Sequence, residues 1–276
     1  QRCAGMILAE RRVTLKSRAQ VELMRRAGRL VNDVLDRMAE EVRPGSTTAD
    51  LDAIAAAMIH AAGAIPSFVG VPGASGPYRH SLCVSIDDEV VHGIPGSRRI
   101  EAGQIVSIDA GAIIDGWHGD AARSFIVGDA PARTQELVEA TRRAMYAGIA
   151  AARVGSHIGD ISAAVEDVAI AGGFGVVQDY VGHGIGTEMH EAPNVPNYRT
   201  PGRGRKLETG LCLAIEPMFT LGGHECRVRP DGWTIITADG SLAAHWEHTI
   251  AILPEGPEIL TAGPGTAGQL PGQVAV

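Results

Sequence analysis

Gln104-Ile105-Val106-Ser107-Ile108-Asp109-Ala110-Gly111-Ala112-Ile113-Ile114-Asp115-Gly116-Trp117-His118-Gly119-Asp120-Ala121-Ala122 is the stretch on which the reading of this chain turns. Asp-Gly between two β-prone runs signals a tight hairpin, because both turn positions need positive φ. With Asp115 and Gly116 in the turn, Ile114 pairs with Trp117 and Gly111 with Asp120. Asp109 lies two residues from Gly111 and therefore on the same face as Asp120. The two carboxylates become diagonal cross-strand neighbours, roughly 7–8 Å apart at Cα. Like charges converging on one sheet face repel unless a cation lies between them. A bound divalent metal is the economical solution; the alternative is a solvated hairpin with two surface aspartates.

Three other segments carry donors of the same kind. In Gly182-His183-Gly184-Ile185-Gly186 the flanking glycines leave the His183 imidazole uncrowded, and His190 follows seven residues later in a loop, not on a helical stripe. In Leu211-Cys212-Leu213-Ala214-Ile215-Glu216-Pro217-Met218 a carboxylate ends an apolar strand just before a ladder-breaking proline. In Ala244-His245-Trp246-Glu247-His248-Thr249-Ile250 a glutamate precedes a hydrophobic strand. Singly, each reads equally well as a strand-end or surface group facing water. Together, Asp109, Asp120, His183, Glu216 and Glu247 make a set of four carboxylates and one imidazole. Such oxygen-rich ligands suit Mn, Fe(II), Co or Zn. Five ligands exceed what one catalytic ion takes from protein, which favours two divalent ions sharing bridging carboxylates.

Around these segments the pattern is α+β. Apolar residues at three- and four-residue steps predict an amphipathic helix over 17–42, stopped by Pro44-Gly45. Ser46-Thr47-Thr48 can cap a second helix over 49–62. A Gly/Pro-rich loop covers 69–79, and β-like runs follow at 82–86, 90–91, 104–114 and 121–127. Helices are predicted again over 131–153 and 158–171, and 174–253 reads as strands and loops. Arg43-Pro44-Gly45-Ser46-Thr47-Thr48-Ala49-Asp50-Leu51 is echoed 110 residues later by Arg153-Val154-Gly155-Ser156-His157-Ile158-Gly159-Asp160-Ile161. Each copy joins two helices that precede a strand-rich stretch. Either this is a coincidence of helix–turn–helix patterning, or the domain has two similar halves, about 17–128 and 131–253, with a site between them. One catalytic domain is expected over 13–260, with an N-terminal extension at 1–12 and a flexible tail at 261–276.

Composition limits the classes of function. The net charge is −8, from 24 Lys and Arg against 32 Asp and Glu, and no long basic run appears. Binding of nucleic acid by phosphate neutralisation is therefore not expected. No apolar run reaches the ~18–20 residues of a membrane span, so no membrane partner is expected. Cys3, Cys83, Cys212 and Cys226 are scattered without a C-x-x-C, which argues against a disulfide framework or structural zinc. Met6-Ile7-Leu8-Ala9 ends at charged Glu10-Arg11-Arg12, so no secretory core is read there. A cytoplasmic location is the expectation. The sequence starts at Gln1; Met6 is taken as the natural start unless the sequence is a fragment.

Val90-Val91-His92-Gly93-Ile94-Pro95, Ile108-Asp109, Gly119-Asp120, Gly182-His183-Gly184-Ile185-Gly186, His190-Glu191, Ile215-Glu216-Pro217 and Glu247-His248-Thr249 occur in the order seen in type I methionine aminopeptidases. The resemblance runs from about Lys16 to Leu260. It implies the pita-bread fold, with pseudo-twofold halves around an antiparallel sheet, and two divalent ions drawn from Co, Mn, Fe or Zn. It implies that Asp109 chelates one ion, Asp120 and Glu247 bridge both, and His183 and Glu216 complete the second. Glu216 would also shuttle the proton of the attacking water. His92 and His190 would hydrogen-bond the peptide and stabilise its tetrahedral intermediate. Tyr78, Cys83 and Trp233 match positions that hold the methionine side chain, and Met189 stands where many relatives carry Phe. The implied reaction removes the initiator methionine from nascent chains whose second residue is small. The substrate partners are then nascent N-termini, met in transient proximity to the ribosome by a monomer.

The chain also departs from the family pattern. The aromatic–His–Gly–aromatic loop is replaced by Val71-Pro72-Gly73-Ala74-Ser75-Gly76-Pro77-Tyr78, three residues longer, with one pocket aromatic lost to Val71. Two other readings compete. A metal-free binding protein on the same fold would have lost ligands, whereas all five are present. An X-Pro aminopeptidase or prolidase-like peptidase would carry a further N-terminal domain. The helical insertion of the type II enzymes has no room in the 25 residues between His190 and Glu216.

Overall fold

A computed structural model describes residues 13–263. The first half runs α1 (Arg18–Glu41), α2 (Thr48–Ala61), β1 (Ile65–Pro66), β2 (Leu82–Ile86), β3 (Glu89–Val91), β4 (Ile105–Ile114) and β5 (Trp117–Ile126). The second runs α3 (Ala132–Ala151), α4 (Ile158–Gly172), β6 (Gly175–Val176), β7 (Gly182–Gly184), β8 (Glu191–Val195), β9 (Cys212–Ile215), β10 (Met218–Thr220), β11 (Cys226–Val228), β12 (Ile235–Thr237), β13 (Ala243–His245), β14 (Glu247–Leu253) and β15 (Gly256–Ile259).

Local sequence explains the helix boundaries. Ser17 and Gln20 form a reciprocal capping box at the start of α1, and Thr47 with Asp50 does the same for α2. The α1 face carrying Val21, Met24, Val31, Val34, Leu35 and Met38 is buried, as its three-and-four spacing requires. The 110-residue echo extends to the hydrogen bonds. Gly45 N donates to Ile100 O and Gly155 N to Leu207 O, both at 2.9 Å; Ser46 Oγ donates to Glu41 O and Ser156 Oγ to Ala151 O. Both glycines sit at φ near +90° (94° and 92°), where a side chain would be strained.

The central nine-stranded sheet is antiparallel in every pairing and ordered β1-β4-β5-β14-β9-β7-β8, with β2 also on β4 and β15 on β14. One helix pair covers each half. α1 and α2 bury Leu35, Leu51 and Ile59 against Val84, Val106 and Ile108. Met145, Ile149 and Ile161, from α3 and α4, pack on Leu213, Ile215 and Ile250. Within this sheet the halves meet at β5 and β14 through two residue pairs, Glu247↔Ala122 and His248↔Ala121, and outside it β3 of the first half pairs with β12 of the second. Thr249 Oγ1 reinforces this seam by donating to Asp120 O (2.8 Å) and accepting from Asp120 N (3.1 Å).

The tail boundary needs correction. Thr261, expected to open a flexible tail, is fully buried; its Oγ1 accepts from Thr249 N at 3.1 Å and lies 2.8 Å from His248 Nδ1. The chain is packed through at least this residue, beyond the expected domain end at 260. The expected extension at 1–12 and the rest of the expected tail, 264–276, lie outside the described residues.

Candidate metal centre and substrate pocket

The hairpin has the register that its Asp-Gly turn predicts. Asp115 and Gly116 both have positive φ (51° and 80°), Ile114 pairs with Trp117, and Gly111 pairs with Asp120. Asp109 is opposite Ala122, and Ala122 is in turn opposite Glu247 at the head of β14. One transverse row of the sheet thus brings Asp109 and Glu247 to either side of β5. From the other direction, His183 on β7 pairs with Ala214 on β9, and Glu216 leaves the ladder just beyond β9. The five sequence-predicted donors therefore rise from five neighbouring segments of one sheet.

Ligand atoms of Asp120, His183 and Glu247 lie within 4.8 Å of one another. His183 Nε2 is 3.5 Å from Glu216 Oε1 and 3.9 Å from Asp120 Oδ2. Its Nδ1 is 2.9 Å from Gly184 O, and since a carbonyl only accepts, Nδ1 carries the proton. In the neutral ring Nε2 is then a lone pair aimed at carboxylate oxygens. Burial, with His190 adding to it, holds the His183 pKa down to about 3, so the ring is neutral. Burial also pushes up the carboxyls of Asp109, Asp120, Glu216 and Glu247, and their mutual charges push in the same direction. Asp109 Oδ1, Asp120 Oδ1 and Glu247 Oε1 are buried with no hydrogen-bond partner. Orphaned anionic oxygens facing a basic nitrogen repel one another in a low dielectric, and a cation among them removes every one of these penalties. The donor set fits divalent metal.

His92 and His190 flank this cluster. The His190 ring lies 4.4 Å from that of His183, centroid to centroid. His92 occupies a positive φ of 59°, and burial, followed by His190, lowers its pKa to about 4. A cavity of about 130 Å³ opens directly onto the carboxylates. Its apolar wall is made by Phe68, Tyr78, Cys83 and Met189, packed with Val71, Ile94 and Trp233. The Tyr78 hydroxyl is held by the carbonyl oxygens of Leu82 (2.9 Å) and Gly93 (3.2 Å). A second, wider cleft of about 370 Å³ leaves the same histidines past Tyr180, Asn194, Tyr198 and Met218.

The geometry adds residues that sequence reading missed. Phe68 supplies an aromatic wall beside Val71, and it is one of only four Phe in the chain, standing just before the Gly/Pro-rich loop. Tyr180 meets the His92 ring edge-on at 5.7 Å. His245 Nε2 lies 3.7 Å from Glu216 Oε2. The loop carrying Met189 and His190 is held from behind by Glu191. Glu191 Oε1 accepts from Thr187 N at 3.0 Å, while its Oε2 takes Lys16 Nζ at 2.6 Å and the Thr14 hydroxyl at 2.5 Å.

Comparison with known proteins agrees with this geometry. Residues 22–254 match Metallopeptidase family M24. The chain is 47% identical to a methionine aminopeptidase of Clostridium perfringens over 90% of this chain and 98% of that one. It superposes on a methionine aminopeptidase from Rickettsia prowazekii with a TM-score of 0.87 at 36% identity, covering 91% of this chain and 100% of that one. A Thermotoga maritima methionine aminopeptidase gives the same TM-score, 0.87, at 41% identity, covering 91% and 99%. With its antiparallel sheet, helix-backed halves and buried carboxylate–imidazole cluster, the chain belongs to metallopeptidase family M24.

Proposed function

We propose that this chain is a methionine aminopeptidase, hydrolysing the first peptide bond of nascent proteins and peptides that begin with Met followed by a small residue. The observation that carries the reading is the cavity of about 130 Å³ that has an apolar wall and the carboxylate cluster as its floor. An unbranched apolar first side chain fits there, and its α-amine and first carbonyl then fall at the cluster.

Asp109, Asp120, His183, Glu216 and Glu247 would hold two divalent ions, of Co, Mn, Fe or Zn. Bound there, such ions polarise a carbonyl and lower the pKa of water. The remaining work falls to the chain's own groups. Glu216 lines both the cavity and the wider cleft and turns Oε1 toward His183 and Oε2 toward the buried His245, so it can take up a proton at one oxygen while the other stays oriented. His92, held neutral by a pKa lowered to about 4, and His190, whose ring is exposed beside that of His183, would donate to the peptide and to the oxyanion that develops on the scissile carbonyl. Tyr78, Cys83, Met189 and Trp233, with Phe68, exclude water from the first side chain. The rest of the peptide leaves by the wider cleft. On this reading the protein acts as a monomer in the cytoplasm, transiently near the ribosome, through one catalytic domain.

The test uses Met-Ala-Ser and Ala-Pro-Ser peptides, with Mn or Co and with a chelator. Release of methionine alone, abolished by the chelator, is the expected result. No methionine release with any metal, or preferential Ala-Pro cleavage, would overturn the reading.

A further inference from the structure

The pocket wall is completed from outside by the loop that departs from the family pattern, Val71-Pro72-Gly73-Ala74-Ser75-Gly76-Pro77. Its own backbone closes it. Tyr78 N donates to Val71 O at 2.8 Å, Gly70 N to Tyr78 O at 2.9 Å, and Gly76 N to Gly73 O at 3.1 Å. The tip of the loop meets the β11–β12 turn of the other half at two glycines. A Cβ on Gly73 would lie 2.2 Å from Trp233 Cζ2 and 2.7 Å from Cη2, and a Cβ on Gly232 would lie 2.0 Å from Ser75 Oγ. Neither position has room for a carbon atom.

These glycines differ in an instructive way. Gly232 has φ +77°, so its backbone alone favours glycine. Gly73 is not among the residues with positive φ, so its backbone accepts alanine, and the nearest obstacle is the indole. Trp233 stands in the turn before β12, where its backbone is tied down. Its backbone N–H and that of Thr234 both donate to Asp231 Oδ1 at 2.8 Å. The ring's other neighbour is Tyr78, edge-on at 5.0 Å. Tyr78 and Trp233 line the cavity and Gly73 does not, so Gly73 touches the indole from its outer side. A side chain at 73 drives the indole inward, into a cavity of only about 130 Å³.

We propose that Gly73 is a specificity-determining residue that acts through Trp233: the missing side chain on this loop sets the depth of the pocket for the first residue. This rests on reading the cavity as the site of the methionine side chain. The loop thereby does from outside what a bulkier wall residue would do from inside.

The test labels the protein with 5-fluorotryptophan, giving resonances for Trp117, Trp233 and Trp246, with Trp233→Phe assigning its own. Gly73→Ala is expected to move the Trp233 resonance and leave the other two in place. The kcat/KM ratio of Met-Ala-Ser over norvaline-Ala-Ser is expected to fall about fivefold or more, mainly through KM, because the shorter side chain tolerates a shallower pocket. In a Trp233→Phe background the same substitution is expected to change the ratio by less than about twofold, since the contacting ring atoms are gone. An unmoved Trp233 resonance, an unmoved ratio, or an equal effect in the Trp233→Phe background would each overturn the proposal while the wild type remains active. A wild type that releases no methionine would overturn the aminopeptidase reading, and this proposal with it.

Discussion

The β4–β5 hairpin and its counterpart in the second half carry carboxylates in opposite ways. The first is unbroken: ten residues pair in register from Ile105↔Ile126 to Ile114↔Trp117. Its counterpart pairs β9 with β14 (Ile215↔His248) and β10 with β13 (Met218↔His245), and between these the ladder fails. Glu216-Pro217 faces Trp246-Glu247 there, and only Trp246 N reaches across, to Pro217 O at 3.3 Å. Proline has no N–H to donate, so the break is written into the backbone. An intact ladder aims Asp109 and Asp120 by alternation alone. The broken one frees Glu216 to turn between His183 and His245. Regular structure is enough to hold a charge in place, whereas a group that must serve two neighbours stands where the ladder is interrupted.

The sharpest way to break the comparison is to disable the residue at the interruption. Glu216→Gln keeps the shape and is expected to lower kcat by about 10²–10⁴-fold, with unchanged circular dichroism. Near-normal turnover would remove Glu216 from the proton work. Next comes the prop behind the second half's irregular loop. Lys16 and Glu191 are buried together, with 3% and 7% of their side chains exposed. Lys16→Met strands the carboxylate and is expected to cost about 3–5 kcal/mol in urea unfolding.

The same pair has a pH signature. Burial alone would raise the Glu191 pKa, but Lys16 and Thr14 outweigh it and hold the carboxyl below its ordinary value. A depressed folded pKa gives stability that is present above the unfolded pKa and lost as pH falls through the folded one. Wild type is therefore expected to lose this contribution below about pH 4, and Lys16→Met to lack that part of the acid slope. Thr249→Val cuts both hydrogen bonds to Asp120 across the seam and is expected to cost about 1–3 kcal/mol. The smallest effect belongs to the regular hairpin. Gly116→Ala places a side chain at φ 80° and is expected to cost about 1–2 kcal/mol, read as a lower melting temperature with the metal content unchanged.

What was legible in the sequence follows the same division. The hairpin register and the shared face of Asp109 and Asp120 follow from one Asp-Gly turn, because turn type and period-two alternation are local. The four helices end within a few residues of their caps and breakers for the same reason. Glu216 and Glu247 could be marked as candidates, but their meeting depends on His248 pairing with Ile215 across the second half, which no short window contains. Phe68 and Tyr180 looked like ordinary residues because their role comes from what packs opposite them. Thr261 reads as tail because proline and glycine dominate its surroundings, and the composition hides the single hydroxyl that ties it to Thr249 and His248.

The narrow seam between β5 and β14 also has a mechanical meaning. Within the nine-stranded sheet, Ala121, Ala122, Glu247 and His248 form the ladder joining the halves, and the predicted ligands stand on both banks: Asp109 and Asp120 on one, His183, Glu216 and Glu247 on the other. Any ion held by all of them acts as a rivet between two leaves of a hinge. By linkage, its binding energy then resists the leaves parting. Amide exchange along β5 and β14 should thus serve as a strain gauge for loading, slowing at the seam and leaving the helix-backed outer edges as they were.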